Sequence, residues 1–300
     1  MKILKFCIGV LLLAGAVLPA SAGPAALESV RVRTRAPHNK FVTVYYRVPK
    51  DYNPRGEDLC RVLVIFGGRN CTGKDDASGR LGWAAWADHY GVFLVSPGFK
   101  NDDYWNPDEW SGRTLFHALA AIRKKYRVCT EKIFYYGFSA GSQASNLFAA
   151  WRPDVARAWV SHACGVFYNP SARMKNSPGL VTCGDADVSR YIISRRFVEE
   201  NRKFGVNIIW KSFPNVPHSV PPGSVELARA FLTYYHLLHY NDLNGRFYGQ
   251  AAKPSVQFVG DDVEDLYYPA DSPRALNIPA DDRVSFPSAA IAAAWGRAAK

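Results

Sequence analysis

The spacing of hydrophobic and polar residues changes several times along this chain, and each change marks a structural element. "SVRVRT" (29–34) and "FVTVYYRVP" (41–49) alternate in the manner of half-buried strands, with "APHNK" between them as the turn, so they predict an opening hairpin. "RVLVIFGG" (61–68) is apolar without a break and ends in glycines, as suits a strand covered on both faces. "GWAAWADHYG" (82–91) reads as a helix and "VFLVSPG" (92–98) as another buried strand. "GRTLFHALAAIRKKYRV" (112–128) returns to helical spacing, and the strand "KIFYYGF" (132–138) runs into a helix from Ala140 to about Trp151. The strands "ARAWVSHAC" and "GLVTCGD", the helix "SRYIISRRFVEENRKFG", the strand "VNIIWKSF" and the helix "SVELARAFLTYYHLLHY" follow, the last ending near Tyr240.

This alternation predicts an α/β fold with a mostly parallel central sheet flanked by helices over residues 23–240. Beyond it the character changes. Residues 241–300 are rich in proline, acidic side chains and aromatics, with only short strand-like pieces. Phe247, Tyr248, Phe258, Tyr267, Tyr268, Phe286 and Trp295 are too many large apolar groups to leave in water, since burying each is worth roughly 1.5–3 kcal/mol. The segment is therefore expected to be a C-terminal extension packed on the preceding domain, not a second independent one.

The first residues, "MKILKFCIGVLLLAGAVLPASAG", place Lys2 and Lys5 before an apolar run and end in Ala20-Ser21-Ala22, a small-x-small cleavage pattern. They predict a signal peptide removed after Ala22 and a secreted or periplasmic product. No second run of about 20 apolar residues exists, so no integral membrane span is expected. The formal net charge of +11 is spread over scattered residues, with no basic run beyond "RKKYR" (123–127) and no nucleic-acid motif, which argues for a soluble basic surface and no nucleic-acid partner. The five cysteines after Cys7 match no CxxC or Cys/His zinc spacing, so no metal site is expected.

The chemistry concentrates in "IFYYGFSAGSQASN" (133–146), where Ser139 stands in a Gly-x-Ser-x-Gly arrangement between a strand and a helix. The motif alone is weak. That context supplies a sharp turn, which would hold the serine in strained backbone geometry while the glycines let neighbouring chain approach. A serine hydroxyl needs an imidazole to take its proton and a carboxylate to orient the imidazole. Asp187, in the acidic turn "GDAD" after a buried strand, fits the acid, with Asp185 as its rival; His218, in the loop "PNVPHSVPPG", fits the base. His162, at the end of a strand near the site, reads first as a buried, hydrogen-bonded histidine and second as a pocket residue. Oxyanion donors are expected from the backbone N–H of Ala140 and from the turn after Gly67-Gly68, at Arg69 or Asn70.

"YYRVPKDYNP", "RVLVIFGGRNCTG", "LFHALAAIRKKYRV", "GFSAGS", "GDAD" and "VPHSV" together resemble the α/β-hydrolase family of secreted polyhydroxybutyrate depolymerase-like, feruloyl and acetylxylan esterases, from about residue 45 to Tyr240. The resemblance implies an α/β-hydrolase fold with Ser139 as nucleophile, Asp187 as acid and His218 as base. Gly67-Gly68 stands where the family has His-Gly, and Ser142-Gln143 follows the second elbow glycine instead of another Gly. In the hydrolase sheet order the strands headed by Cys60 and Cys129 are neighbours, so a Cys60–Cys129 disulfide is expected, with Cys164 and Cys183 as a less secure pair. The expected activity is that of a serine carboxylic ester hydrolase on a small-molecule or polymer-linked ester, without cofactor. A prolyl oligopeptidase-like serine peptidase and a non-catalytic binding protein keeping the fold are the alternatives. Tyr104, Trp105 and Trp110, in "NDDYWNPDEW", and Gln143 are the candidate substrate contacts, the rings forming either an aromatic wall or simple loop packing.

Overall fold

A computed structural model of the chain describes residues 25–34, 38–56, 59–100, 104–169, 171–243 and 255–299. The expected leader, residues 1–22, lies outside them, as do Phe247 and Tyr248. The two alternating stretches at the start pair antiparallel as β1 (Ala26–Arg33) and β2 (Phe41–Val48), and β2 buries Val42, Val44, Tyr46 and Val48 on one face. The continuous apolar runs become β3 (Cys60–Phe66), β4 (Phe93–Pro97), β5 (Val128–Phe138), β6 (Ala156–His162), β7 (Gly179–Gly184) and β8 (Ile208–Phe213). The eight strands lie in the order β1-β2-β4-β3-β5-β6-β7-β8; the six from β4 to β8 are parallel, and β2 joins β4 antiparallel.

Helices α1 (Lys74–Ala77), α2 (Trp83–Tyr90), α3 (Gly112–Lys125), α4 (Ala140–Trp151), α5 (Val188–Lys203) and α6 (Pro222–Leu243) connect and cover these strands. Because side chains alternate across a sheet, β3 feeds two cores at once. Val62, Val64 and Phe66 pack with Tyr135, Leu115 of α3, Phe148 of α4 and Phe197 of α5, whereas Leu63 and Ile65 pack with Phe134, Trp83 of α2 and Phe231 of α6. Helix α3 buries Leu115, Ala118, Leu119 and Ile122, the i, i+3, i+4, i+7 stripe that its sequence shows.

The short strand-like pieces of the tail form a second sheet in the order β11-β9-β10-β12, from β9 (Phe258–Asp261), β10 (Leu266–Pro269), β11 (Arg283–Phe286) and β12 (Arg297–Ala298), with helices α7 (Pro273–Asn277) and α8 (Ala289–Trp295) between them. Val259, Tyr268, Ala275 and Ile278 make a small core of their own. Phe286, Ile291 and Trp295 instead enter the second core of the main sheet, and Trp295 Nε1 donates to the carbonyl of Trp210 on β8 at 2.6 Å. Acidic tail residues pair with basic ones of the main body, Asp262 with Arg195 and Asp265 with Lys211.

The Cys60–Cys129 disulfide is a correction: among the described residues no disulfide is formed. Cys60 pairs in register with Val128, so Cys129, one residue on, directs its side chain to the opposite face of the sheet. Cys164 and Cys183 are likewise unbridged thiols, which burial pushes up to about 11 and about 12.

Two glycines bring β5, α4 and β3 into backbone contact. A Cβ on Gly137 would lie 2.0 Å from the carbonyl oxygen of Gly141, and one on Gly141 would lie 2.0 Å from that of Phe66 and 2.3 Å from that of Gly67. Backbone atoms on both sides leave nothing that can give way. Gly141→Ala should therefore cost about 3 kcal/mol or more in chemical denaturation, against about 1–2 kcal/mol for Gly91→Ala, whose Cβ meets nothing within 4 Å and carries only the strain of φ 63°. Trp295→Ala should cost about 3–5 kcal/mol; a loss under about 1 kcal/mol would show that the tail is not part of the cooperative unit.

Candidate active site

The strand β5 ends in Phe138, and the chain turns at once into α4. Ser139, at that turn, has φ 58° and ψ −123°, a region that non-glycine residues occupy only when surrounding contacts hold them there. Its N–H donates to the carbonyl of His162 at 3.0 Å, and its own carbonyl accepts from the N–H groups of Ser142 at 3.0 Å and Gln143 at 3.4 Å. The hydroxyl of Ser142 also donates to that carbonyl.

The three residues singled out for the triad meet above the parallel strands' C-terminal ends. Ser139 Oγ lies 2.9 Å from His218 Nε2, and His218 Nδ1 lies 2.6 Å from Asp187 Oδ2. A carboxylate only accepts, so Nδ1 carries the proton and Nε2 presents its lone pair to the serine hydroxyl. Asp187 is buried at the start of α5, and its other oxygen accepts from Arg190 Nη1 at 3.0 Å. Asp185 is exposed, and its Oδ1 accepts from the N–H of Asn215 at 2.6 Å. It therefore anchors the loop that carries His218 and does not face the imidazole.

The turn after β3 passes beside Ser139: a Cβ built on Gly68 would lie 3.9 Å from Ser139 Cβ. The N–H of Cys71 donates to the carbonyl of Gly68 at 3.1 Å, and Asn70 has φ 68°, the signature of a four-residue turn with a left-handed third residue, which asparagine tolerates. Such a turn leaves the amides of its two central residues, Arg69 and Asn70, unused within it. Ala140, the first residue of α4, has no acceptor within the helix for its N–H.

The aromatic wall is corrected in part. Tyr104 and Trp110 are 4% and 2% exposed and pack around Phe99, because their rings complete the first core instead of facing solvent. Trp105, half-buried, sets its ring edge against Tyr104. Gln143 lies one turn along α4 from Ser139, and its Nε2 and Arg190 Nε sit 3.4 and 3.7 Å from where a Gly165 Cβ would be. His162 is buried, with Nδ1 2.6 Å from Thr182 Oγ1 and Nε2 2.7 Å from the Ser219 carbonyl; burial pushes its imidazole down to about 4. Arg190 and Phe138, whose ring stacks on His218 at 5.0 Å, were not singled out from the sequence. Arg190 had a usable signal, its i, i+3 spacing from Asp187 at a helix start; Phe138 had none beyond its place before Ser139.

No family model matches the chain. A search of curated proteins likewise finds no match. Solved structures do resemble it. A ferulic acid esterase shares 17% identity over 74% of this chain and 96% of its own, with a TM-score of 0.55. A poly(3-hydroxybutyrate) depolymerase from Bordetella parapertussis shares 18% over 70% and 89%, with a TM-score of 0.55. An S-formylglutathione hydrolase from Staphylococcus aureus shares 12% over 73% and 99%, with a TM-score of 0.56. The strand order, the turn that carries Ser139 and these likenesses lead to one conclusion: the chain has the α/β-hydrolase fold.

Proposed function

We propose that this protein is a serine carboxylic ester hydrolase, with residues 23–240 as the catalytic domain and 241–300 as its packed extension. One observation carries the reading: Ser139, His218 and Asp187 form an unbroken hydrogen-bonded chain on a strained turn beside the orphan N–H of Ala140. As Ser139 Oγ attacks the ester carbonyl carbon, His218 Nε2 takes its proton, and the Asp187 carboxylate stabilises the imidazolium that results. The oxyanion is held by the N–H of Ala140 and by an amide of the Gly68 turn, with Arg69 as the second donor. The imidazolium then gives its proton to the departing alkoxy oxygen as the C–O bond breaks. Water, activated by the same nitrogen, attacks the acyl-enzyme and releases the acid. The reaction as written uses only side chains, backbone amides and water.

Substrate preference is read from what surrounds the triad. Val188 follows Asp187 directly, Ile192 lies one helical turn on, and Val166 and Tyr168 follow the Gly165 loop that touches Arg190; all four are exposed. Large apolar side chains in water on the segments that follow Asp187 and Gly165 favour a substrate with an apolar or aromatic portion, in keeping with an aromatic or polymer-linked ester. Trp105 and Gln143 are further candidate contacts. The Lys2, Lys5 and Ala20-Ser21-Ala22 pattern supports export with cleavage after Ala22. Among the described residues, no helix is long and apolar enough to cross a membrane.

Ser139→Ala should lower kcat on a p-nitrophenyl ester by about 10⁴-fold or more and abolish fluorophosphonate labelling, while the melting curve stays put. Residual turnover above a few per cent would move the nucleophile elsewhere. Asp187→Asn should cost far more activity than Asp185→Asn, and the reverse order would reassign the acid.

A further inference from the structure

His162 lies under the site at the end of β6, buried and outside the proton path of the proposed reaction. A satisfied core histidine would need partners, but these partners are unusual in what they carry. Its backbone carbonyl accepts the N–H of Ser139 at 3.0 Å. Its Nε2 lies 2.7 Å from the carbonyl of Ser219, the residue after His218. Its Nδ1 lies 2.6 Å from Thr182 Oγ1 on β7, the strand with which β6 pairs in register at these two residues. One residue thus touches the backbone of the serine and the backbone next to the histidine.

We propose that His162 is a positioning residue that holds the loop carrying His218 in register with Ser139, through a single neutral tautomer in which Nε2–H donates to the Ser219 carbonyl. The inference rests on the proposed roles of Ser139 and His218. The tautomer follows from the partners. A carbonyl only accepts, so Nε2 must carry the proton, and Nδ1 is then the lone pair that receives the Thr182 hydroxyl hydrogen. Burial keeps the ring neutral, and it outweighs the Ser219 carbonyl and the more distant Asp187 carboxylate, both of which favour the imidazolium.

Residues 217–219 are exposed, and the hydrogen bonds described for this loop run from Asn215 to Asp185, from His218 to Asp187 and Ser139, and from Ser219 to His162. The Phe138 ring contacts both imidazoles, 5.8 Å from His162 and 5.0 Å from His218. It limits the tilt of His218 from the side, whereas His162 sets the height of its backbone. A shift of about 1 Å at a base is enough to cost on the order of 10²-fold in rate, because proton transfer requires hydrogen-bond distance in the reactive geometry.

The test is a comparison of variants on a short p-nitrophenyl ester, with rates normalised to correctly folded protein. His162→Phe keeps an aromatic ring and removes both hydrogen bonds; kcat should fall about 10–100-fold while KM changes by less than about 3-fold. His162→Gln, whose amide can still donate toward Ser219, should recover most of that loss. In a His218→Ala background, where the base to be positioned is gone, His162→Phe should change residual turnover by less than about 2-fold. Equal fold-losses with and without His218, or a lowered melting temperature with unchanged kcat, would overturn the proposal. Should His162→Phe not fold, Thr182→Val tests the same link by removing the hydroxyl that donates to Nδ1 and holds the ring in place, with an expected kcat loss of about 3–10-fold at unchanged KM. Ring ¹⁵N NMR gives an independent reading: a His162 signal protonated at Nδ1 instead of Nε2 at pH 7 would also overturn it. If Ser139→Ala retained activity, the proposed triad would fail on its own, whatever His162 does.

Discussion

Ser139 is held at φ 58° and ψ −123° where the chain passes directly from β5 into α4. Such a conformation costs of order 1–3 kcal/mol and persists only where its surroundings over-determine it. Here they do so through backbone contact. Gly137 lies against Gly141, and Gly141 lies against Phe66 and Gly67, close enough that no side chain fits between. The same contact that stores the strain also places the Gly68 turn beside the serine. The strained serine and the turn proposed as its oxyanion donor are therefore consequences of one packing arrangement.

That arrangement needs a rigid sheet beneath it, and the sheet is rigid because both faces are covered. Helices α3, α4 and α5 pack one face, whereas α2, α6 and part of the tail pack the other. Phe286, Ile291 and Trp295 belong to the second core, although they stand more than forty residues beyond the last helix of the main body by chain position. The ion pairs Asp262 with Arg195 and Asp265 with Lys211 lie at the boundary of this contact. Each pair has one buried member, Asp262 and Lys211, whose desolvation offsets much of the attraction, so the apolar contact is the main term.

Polar groups around the triad divide the task of alignment. Arg190 occupies one oxygen of Asp187 and leaves the other for His218. Asp185 ties down Asn215, and Phe138 stacks on the imidazole of His218. Each group restrains a different degree of freedom: rotation of the carboxylate, position of the loop, tilt of the ring. Preorganisation of this kind would leave little rearrangement to the proposed reaction.

Much of this was legible in the sequence. The period-two stretches, the unbroken apolar runs and the helical stripes predicted the strands and helices in order, since hydrophobic periodicity reflects burial directly. The small-residue turn around Ser139, the acidic turn at Asp187 and the loop at His218 were legible for the same local reason: turn chemistry is written in adjacent residues. What the sequence could not carry was register and depth. A one-residue offset at β5 put Cys129 on the face away from Cys60, and no local pattern encodes that offset. Tyr104 and Trp110 have the composition of a binding wall, yet the tertiary fold turns their rings into the core. The tail's hydrophobic count demanded that it dock, but which surface it covers depends on where β8 and α6 leave apolar area open. Sequence by itself determined the elements and the turns that carry the candidate groups, because those depend on neighbours along the chain; the tertiary structure alone decided their distances, facing and burial, because those depend on residues far apart in it.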